Sequence, residues 1–222
     1  MNYLPLALTL LLSPVFAAEA PSASNASPDD TPLILNGCVL APHSKCPNAQ
    51  LRGADLSNQD LRKIDLSGAD LREANLRHAQ LDLANLEKAD LRGANLTRAS
   101  LQQSNLRLAQ LQGATLIAAQ GWGLFAQGAN FEKADLSGAY LEFARLSGAQ
   151  LHGASLKAAD LEMSWLSKAD LKGASLADAN LQEAKLGESN LENADLRGSR
   201  QHYANFQDSN MQGCKGCPTT WK

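Results

Sequence analysis

The sequence predicts an all-β protein: a four-sided parallel β-helix, wound from one five-residue unit repeated along most of the chain. Three observations predict it. From Leu51 every fifth residue is Leu through Leu116, and after an interruption the register resumes at Phe131 and runs as Leu from Leu136 through Leu196. Two residues before most of these centres stands a small residue, as at Ala49, Ala54, Ala69, Ala74, Ala79 and Ala84. Aromatic residues make up only 5% of the 222-residue chain, too few for a conventional sandwich or α/β sheet, whose cores draw on Phe, Tyr, Trp, Val and Ile.

In chain order, the first element is an apolar run of thirteen residues from Leu4 to Phe16, followed by the small Ala17 and Ala18. It is too short to cross a bilayer as a helix. It has the form of a cleaved export signal, although no Lys or Arg precedes it. Residues 1–17 are therefore expected to be removed. Residues 18–32, AEAPSASNASPDDTP, combine Pro, Ser and Ala with almost nothing to bury and read as a disordered linker. A cap carrying Cys38 and Cys46 follows over 33–48, then the repeat over 49–213, then a second cap over 214–222 with Cys214 and Cys217. No later stretch is apolar for long enough to insert stably in a membrane.

Of the 33 repeat centres from 51 to 211, 27 are Leu, two are Phe and one is Met, so a continuous apolar core runs through the whole repeat. A period of five fits neither the 3.6 of an α-helix nor the 2 of a continuous strand. It fits a short extended piece followed by a bend. In the extended piece the small residue and the Leu point inward, while the Asp or Asn between them, as at Asp55, Asp65, Asn75 and Asn85, points out. The last two residues turn the corner. Gly recurs there, as at Gly53, Gly68 and Gly93, because it tolerates positive φ, and Asp or Asn hydrogen-bonds nearby backbone. Four corners close a square, so a coil takes about twenty residues and neighbouring coils stack about 4.8 Å apart. The register breaks at Gln120–Gly128 (QGWGLFAQG), where the centres 121 and 126 are Gly and Ala. Either two degenerate units complete the wall with Leu124 pointing in, or the segment bulges out.

The motif A(D/N)LxG, written here as AQLRGADLSN, SGADLREANLRHAQL and KGASLADANLQEAKL, resembles the pentapeptide-repeat family across the repeat. The resemblance implies a right-handed quadrilateral β-helix of about eight coils, about 40 Å long at strand spacing. On a solenoid of that length the two cysteine pairs lie at opposite ends, out of mutual disulfide or metal reach. That leaves Cys38 with Cys46 and Cys214 with Cys217 as the intramolecular pairing, in keeping with export. Stapled caps serve the need to cover solenoid ends, which otherwise expose unpaired backbone. The alternative for Cys214 and Cys217, a C-x-x-C redox pair, lacks a surrounding thioredoxin-like βαβ pattern.

Stacking every twenty residues assigns side chains to faces. Arg52, Arg72 and Arg92 fall in one row, which reads either as an anion-binding stripe or, with Asp70 and Asp90 beside it, as a neutralised ladder. Arg145, Trp165 and Lys185 share another row, with a spacing that lets a cation lie over the indole. Tyr140, Phe143 and Met163 stand at outward positions around the corner, near Trp122 and Phe125 of the interruption. On so aromatic-poor a chain these eight residues form the candidate partner surface. The competing reading is that the interruption folds down and covers them.

Twenty basic and 23 acidic residues, a net charge of −3, argue against a nucleic-acid partner and against an acidic nucleic-acid mimic. His43, His78, His152 and His202 are scattered over the cap and separate coils, and no catalytic, cofactor-binding or metal site is expected. The expected function is that of an exported, non-enzymatic scaffold or protein-interaction module with an unidentified protein partner, and a homodimer is left open. The compartment is the periplasm or another exported space, the thylakoid lumen if the source is photosynthetic. Two alternatives compete. The family resemblance implies, for some members, mimicry of duplex DNA that protects a type II topoisomerase. Tyr140, Phe143 and Trp165 would instead suit a carbohydrate-binding solenoid that stacks sugars. The signal is testable first. Intact-mass analysis of protein from fractionated cells is expected to show a chain starting after Ala17 or Ala18, and a full-length cytoplasmic chain contradicts it.

Overall fold

A computed structural model describes residues 32–219. The expected signal, and the expected linker up to residue 31, lie outside the described residues. Within them the repeat forms a four-sided parallel β-helix. Each unit contributes one short extended piece, whose middle residue pairs in parallel with the residue twenty positions on: Asp55 with Asn75, Asn75 with Asn95, Asn95 with Thr115. Two backbone bonds make each rung. Leu51 N–H donates to the Asp70 carbonyl at 2.8 Å, and Asp70 N–H donates to the Ala49 carbonyl at 2.9 Å. The scheme recurs as far as Lys215, whose N–H reaches the Ala194 carbonyl at 2.9 Å. The backbone of the walls is thereby satisfied between coils.

The corners are tight turns. Ala54 N–H returns to the Leu51 carbonyl at 3.1 Å, and Gly53 takes a φ of 65°, the pattern of a type II turn. The sequence reading expects Gly at this corner position. The structure holds many other residues in the same conformation, among them Asn58, Lys63, His78 and Phe143 at φ of 59°, 59°, 57° and 57°. Asp and Asn support the turns as expected: Asp55 Oδ1 accepts the Ser57 N–H at 3.1 Å and Asp65 Oδ1 that of Ser67 at 3.1 Å. The outward placement of Asp and Asn holds, with one addition. These side chains do not simply point into water but are mostly half-buried and joined in ladders: Asn85 Nδ2 donates to Asp65 Oδ1 at 3.0 Å, and Asn105 Nδ2 to Asn85 Oδ1 at 3.0 Å. Strand spacing brings equivalent side chains of successive coils within hydrogen-bonding reach.

Inside, the Leu centres and the small residues close one core. Leu56, Leu76 and Leu96 are each 0% exposed. Each such Leu contributes roughly 1.5–3 kcal/mol. Gln120–Gly128 does not bulge. Gln120 pairs with Ser100 and Tyr140, and Phe125 with Asn105 and Arg145, so both degenerate units complete their walls. Leu124 is buried, and a Cβ on Gly121 would stand 2.9 Å from Leu141 Cδ2 and 3.5 Å from Leu124 Cδ2. The large side chain has moved from the centre to the small-residue position, and the centre has shrunk to make room.

The caps close the two ends. Leu33–Leu35 (β1) pairs antiparallel with Cys38–Leu40 (β2) through a turn in which Asn36 and Gly37 have φ of 49° and 79°. Two positive φ values mark a type I′ hairpin, which Asn-Gly between two apolar triplets announces and which the expectation of an undifferentiated cap missed. Asn36 Nδ2 donates to the Gln50 carbonyl at 2.6 Å, and a disulfide joins the buried Cys38 and Cys46. At the other end a disulfide joins Cys214 and Cys217. Between them Gly216, at φ 75°, lies so close to the last coil that a Cβ would stand 2.7 Å from the Arg197 backbone nitrogen.

The exchange at the interruption is expected to show as non-additivity. Gly121→Leu overpacks the core at a cost of about 1–3 kcal/mol, and Leu124→Ala opens a cavity costing about 2–5 kcal/mol. The double variant returns the large side chain to centre 121 and the small one to position 124, so equilibrium unfolding should show a smaller loss than the sum of the single losses. Additive losses contradict the volume exchange.

Candidate functional site at an aromatic corner

The wall row Phe125, Arg145, Trp165 and Lys185 is built by successive parallel pairings, so its side chains stack on one face. Cations and rings alternate along it. The Arg145 guanidinium carbon lies 4.9 Å from the Phe125 ring centroid and 5.9 Å from that of Trp165, Lys185 Nζ lies 4.3 Å over Trp165, and Arg107 lies 5.1 Å over Phe125. Trp165 is nevertheless 46% exposed. Contacts of this kind contribute about 0.5–1 kcal/mol each when open to water.

Just before this wall the chain turns a corner, and there Trp122 packs edge-on against Phe143, with ring centroids 5.8 Å apart and an interplanar angle of 62°. Gln103, Trp122, Gly123, Phe125, Phe143 and Arg145 line a shallow hollow of about 220 Å³ between corner and wall. Met163 follows Phe143 on the same corner, one coil on, and Tyr140 stands exposed on the preceding wall. All eight residues that the sequence singles out thus fall on two adjoining walls and the corner between them. The interruption does not cover this surface. It supplies Trp122 and Phe125 to it.

Three acids flank the corner on the Tyr140 side: Glu142, Asp160 and Glu162. Burial pushes the Glu142 carboxyl above its ordinary value, and the neighbouring charges of Asp160 and Glu162 push it further.

Sequence reasoning missed the extent of the corner. Leu83, Phe143, Met163 and Tyr203 all occupy its turn position, at φ of 60°, 57°, 53° and 58°. Bulky residues with positive φ are rare. Leu83 and Tyr203 are also well exposed, so core packing does not account for them. The signal was present, because sorting the residues two after each centre by their remainder on division by twenty puts these four in one row, interspersed with Lys63, Gln103, Gly123 and Glu183.

The arginine row behaves as a neutralised ladder. Arg52 pairs with Glu73 at 2.8 Å, Arg72 with Asp70 at 2.5 Å and Asp90 at 3.6 Å, and Arg92 with Asp90 at 2.6 Å. Hydrogen bonds from Arg72 pull the Asp70 carboxyl down to about 2, and Arg62 and Arg92 hold Asp60 and Asp90 below the usual carboxylate range. Among the described residues no group of three or more His, Cys, Asp or Glu is placed to hold a metal ion. Nor is any helix long and apolar enough to cross a membrane.

The family model for pentapeptide repeats matches residues 49–87, 84–119, 134–173 and 174–214. The chain belongs to the pentapeptide-repeat family. Its fold is accordingly a right-handed quadrilateral β-helix, here of about eight coils. Among solved pentapeptide-repeat structures, HetL, which is involved in heterocyst differentiation regulation in the cyanobacterium Nostoc sp., is 33% identical; the match covers 78% of this chain and 87% of HetL with a TM-score of 0.32. QnrB1, a plasmid-mediated fluoroquinolone resistance protein, is in a trypsin-treated variant 23% identical over 76% of this chain and 84% of its own, with a TM-score of 0.56. A pentapeptide repeat protein of the Arabidopsis thaliana thylakoid lumen is 28% identical over 53% of this chain and 68% of its own, with a TM-score of 0.17. No curated protein matches the chain. The pentapeptide-repeat pattern lapses between residues 119 and 134, the stretch that supplies Trp122 and Phe125 to the corner.

The ladder makes a pH prediction. Asp70 is more acidic folded than its ordinary 3.8, so its contribution to stability is complete above about pH 5 and is lost as pH falls toward about 2. Arg72→Ala is therefore expected to melt below wild type at pH 6 and to converge with it near pH 2. Parallel melting curves across that range contradict the pairing.

Proposed function

We propose that this pentapeptide-repeat protein is an exported, non-enzymatic scaffold that binds a protein partner through the aromatic corner. The observation that carries the reading is the placement of large apolar residues at exposed corner positions with positive φ. The backbone there favours Gly, and a polar residue would serve the fold equally well. Aromatic side chains of this kind are the usual anchors of protein interfaces. The apolar run at Leu4–Phe16 supports export, as do the two disulfides, which persist in oxidising compartments such as the periplasm or another exported space. The commitment of Asp and Asn side chains to turns and ladders supports a scaffold over an enzyme. The seating of Gly216 against the last coil supports a structural rather than a redox role for Cys214 and Cys217.

The test is a double change of Phe143 and Trp165 to Ala, neither of which belongs to the Leu core. Capture of partners from the native compartment should weaken by about 2 kcal/mol or more if the two lie at the centre of a contact. Thermal stability should stay close to wild type. A variant that melts much earlier yet captures the same proteins shows instead that the corner is a small second core.

A further inference from the structure

We infer that the protein partner binds through an acidic segment of its own polypeptide, in which carboxylates alternate with large apolar side chains, laid along the wall that follows the aromatic corner. This rests on the reading of the corner as a protein-binding surface and names the chemistry of the partner. Three observations lead to it, and the first is which charges that wall carries.

From Asn105 to Gln207 the outward positions of this wall hold no Asp or Glu, and its charged residues there are Arg107, Arg145 and Lys185. Asp65 and Glu87 belong to its earlier coils. Over the same length each of the other walls carries acids, as at Asp160 and Glu162, Asp135 and Asp195, and Asp170 and Glu192. The corners beside the wall carry them too, with Glu183 before it and Glu188 and Asp208 after it, and Glu188 already pairs with Lys168 at 3.5 Å. The wall itself is a cationic face of one sign, and a ligand of the opposite sign complements it.

The second observation is how the cations are held. Arg145 stands between Phe125 and Trp165 in the row, 4.9 and 5.9 Å from their ring centroids, and Lys185 lies 4.3 Å over Trp165. A ring face attracts a cation but offers it no oxygen acceptor, so the Arg145 guanidinium and the Lys185 ammonium retain donors for a carboxylate. Rings and cations alternate along the row at one coil spacing, about 4.8 Å. A segment in which acids alternate with apolar side chains meets that order. Its carboxylates take Arg145 and Lys185, and an apolar group between them takes Trp165, which is half-exposed.

The third observation is that Arg145 belongs both to this wall and to the hollow of about 220 Å³ beside it. A carboxylate seated on Arg145 therefore brings its apolar neighbour to the place where Trp122 and Phe143 pack edge-on. Gly123 leaves the hollow open, since a Cβ there would already stand 3.4 Å from Gln103 Cγ. The same geometry disfavours a nucleic-acid strand or another dense polyanion. Arg107 and Lys185 lie four coils apart, about 19 Å, a length over which a nucleic-acid strand carries about six phosphates, about twice the number of cations on offer. Across the corner such a strand also meets Glu142, Asp160 and Glu162. Carboxylates spaced by apolar groups match the wall without that excess of charge.

The experiment follows the fluorescence anisotropy of a labelled synthetic peptide of alternating Glu and Tyr as the protein is added, with circular dichroism confirming that each variant is folded. Wild type is expected to bind this peptide, less tightly as salt is raised, and to leave the matching peptide of Lys and Tyr unbound. Arg145→Glu and Lys185→Glu, both at exposed positions outside the core, should each weaken binding about tenfold or more. Lys157→Glu makes the same change in net charge at an exposed position on another wall and should leave binding within about twofold of wild type. A wild type that does not bind the Glu and Tyr peptide overturns the inference. So does indifference to the changes at Arg145 and Lys185, an equal loss in Lys157→Glu, or tighter binding of labelled oligothymidylate or polygalacturonate than of the peptide. The broader reading stands or falls separately. Partners from the native compartment that are lost by the Phe143 and Trp165 double variant, yet kept by Arg145→Glu and Lys185→Glu, leave the corner as a binding surface and remove only the acidic segment.

Discussion

A chain that must turn a corner every five residues has only three of them left for a wall, and a three-residue strand has no stability of its own. Its backbone groups find partners only in the coils twenty residues before and after, as the bonds from Leu51 to Asp70 and from Asp70 back to Ala49 show. Stability is therefore a property of stacking: each coil buries its Leu and Ala only because the next one covers them. The same constraint makes the ends vulnerable. The Asn36–Gly37 hairpin with its disulfide at one end, and Gly216 seated on Arg197 at the other, answer it locally.

The inward positions leave little room for variety and the corners leave some. One corner carries Gly at 53, 93, 113, 153, 173 and 213, which is the inexpensive way to hold a positive φ. The corner of Phe143 and Met163 has Gly only at position 123, between them and Gln103, where it helps to form the hollow beside Trp122. Two corners under the same geometric demand have thus met it in opposite ways. Folding alone explains the first. The second accepts backbone conformations that bulky residues rarely adopt and leaves their side chains in water, and the interaction surface proposed above would account for both.

Much of this was legible before any coordinates. A strict period of five fixes the inward Leu, the small residue two before it and the corner, because no other regular structure has that repeat. Equally, the cation row over Trp165 follows from counting in twenties. Other features escaped for identifiable reasons. The fate of Gln120–Gly128 is open in the sequence because the spacing from Leu116 to Phe131 is a multiple of five whether the segment bulges or not; the wall pairings of Gln120 and Phe125 and the burial of Leu124 beside Gly121 decide it. The Asp and Asn ladders needed the distance between coils, which turns a solvent-facing row into hydrogen-bonded neighbours. Leu83 and Tyr203 stand apart in the sequence because each lies three coils from Phe143 on the corner, and only the twenty-residue register ties them to it.

Net charge concealed the most informative feature. A value of −3 is a sum, and it is the same whether every Arg sits beside an Asp or the two kinds are held apart. Over the row of Arg52, Arg72 and Arg92 they are paired at contact distance, leaving a surface with little field of its own. Around Phe143 they are separated by a strip of apolar side chains, and the result is a local dipole across a hydrophobic line. Such a surface attracts a partner with the reverse order of charges and rejects one with the same order, so it discriminates by orientation as much as by composition. It also stands on a continuous wall of the solenoid rather than on a loop. The groups are held in place by the stacking of the core, and little ordering is needed when a partner docks. The exchange of Gly121 and Leu124 keeps that wall unbroken beneath Trp122 and Phe125, so the surface is formed without a gap in the core that supports it.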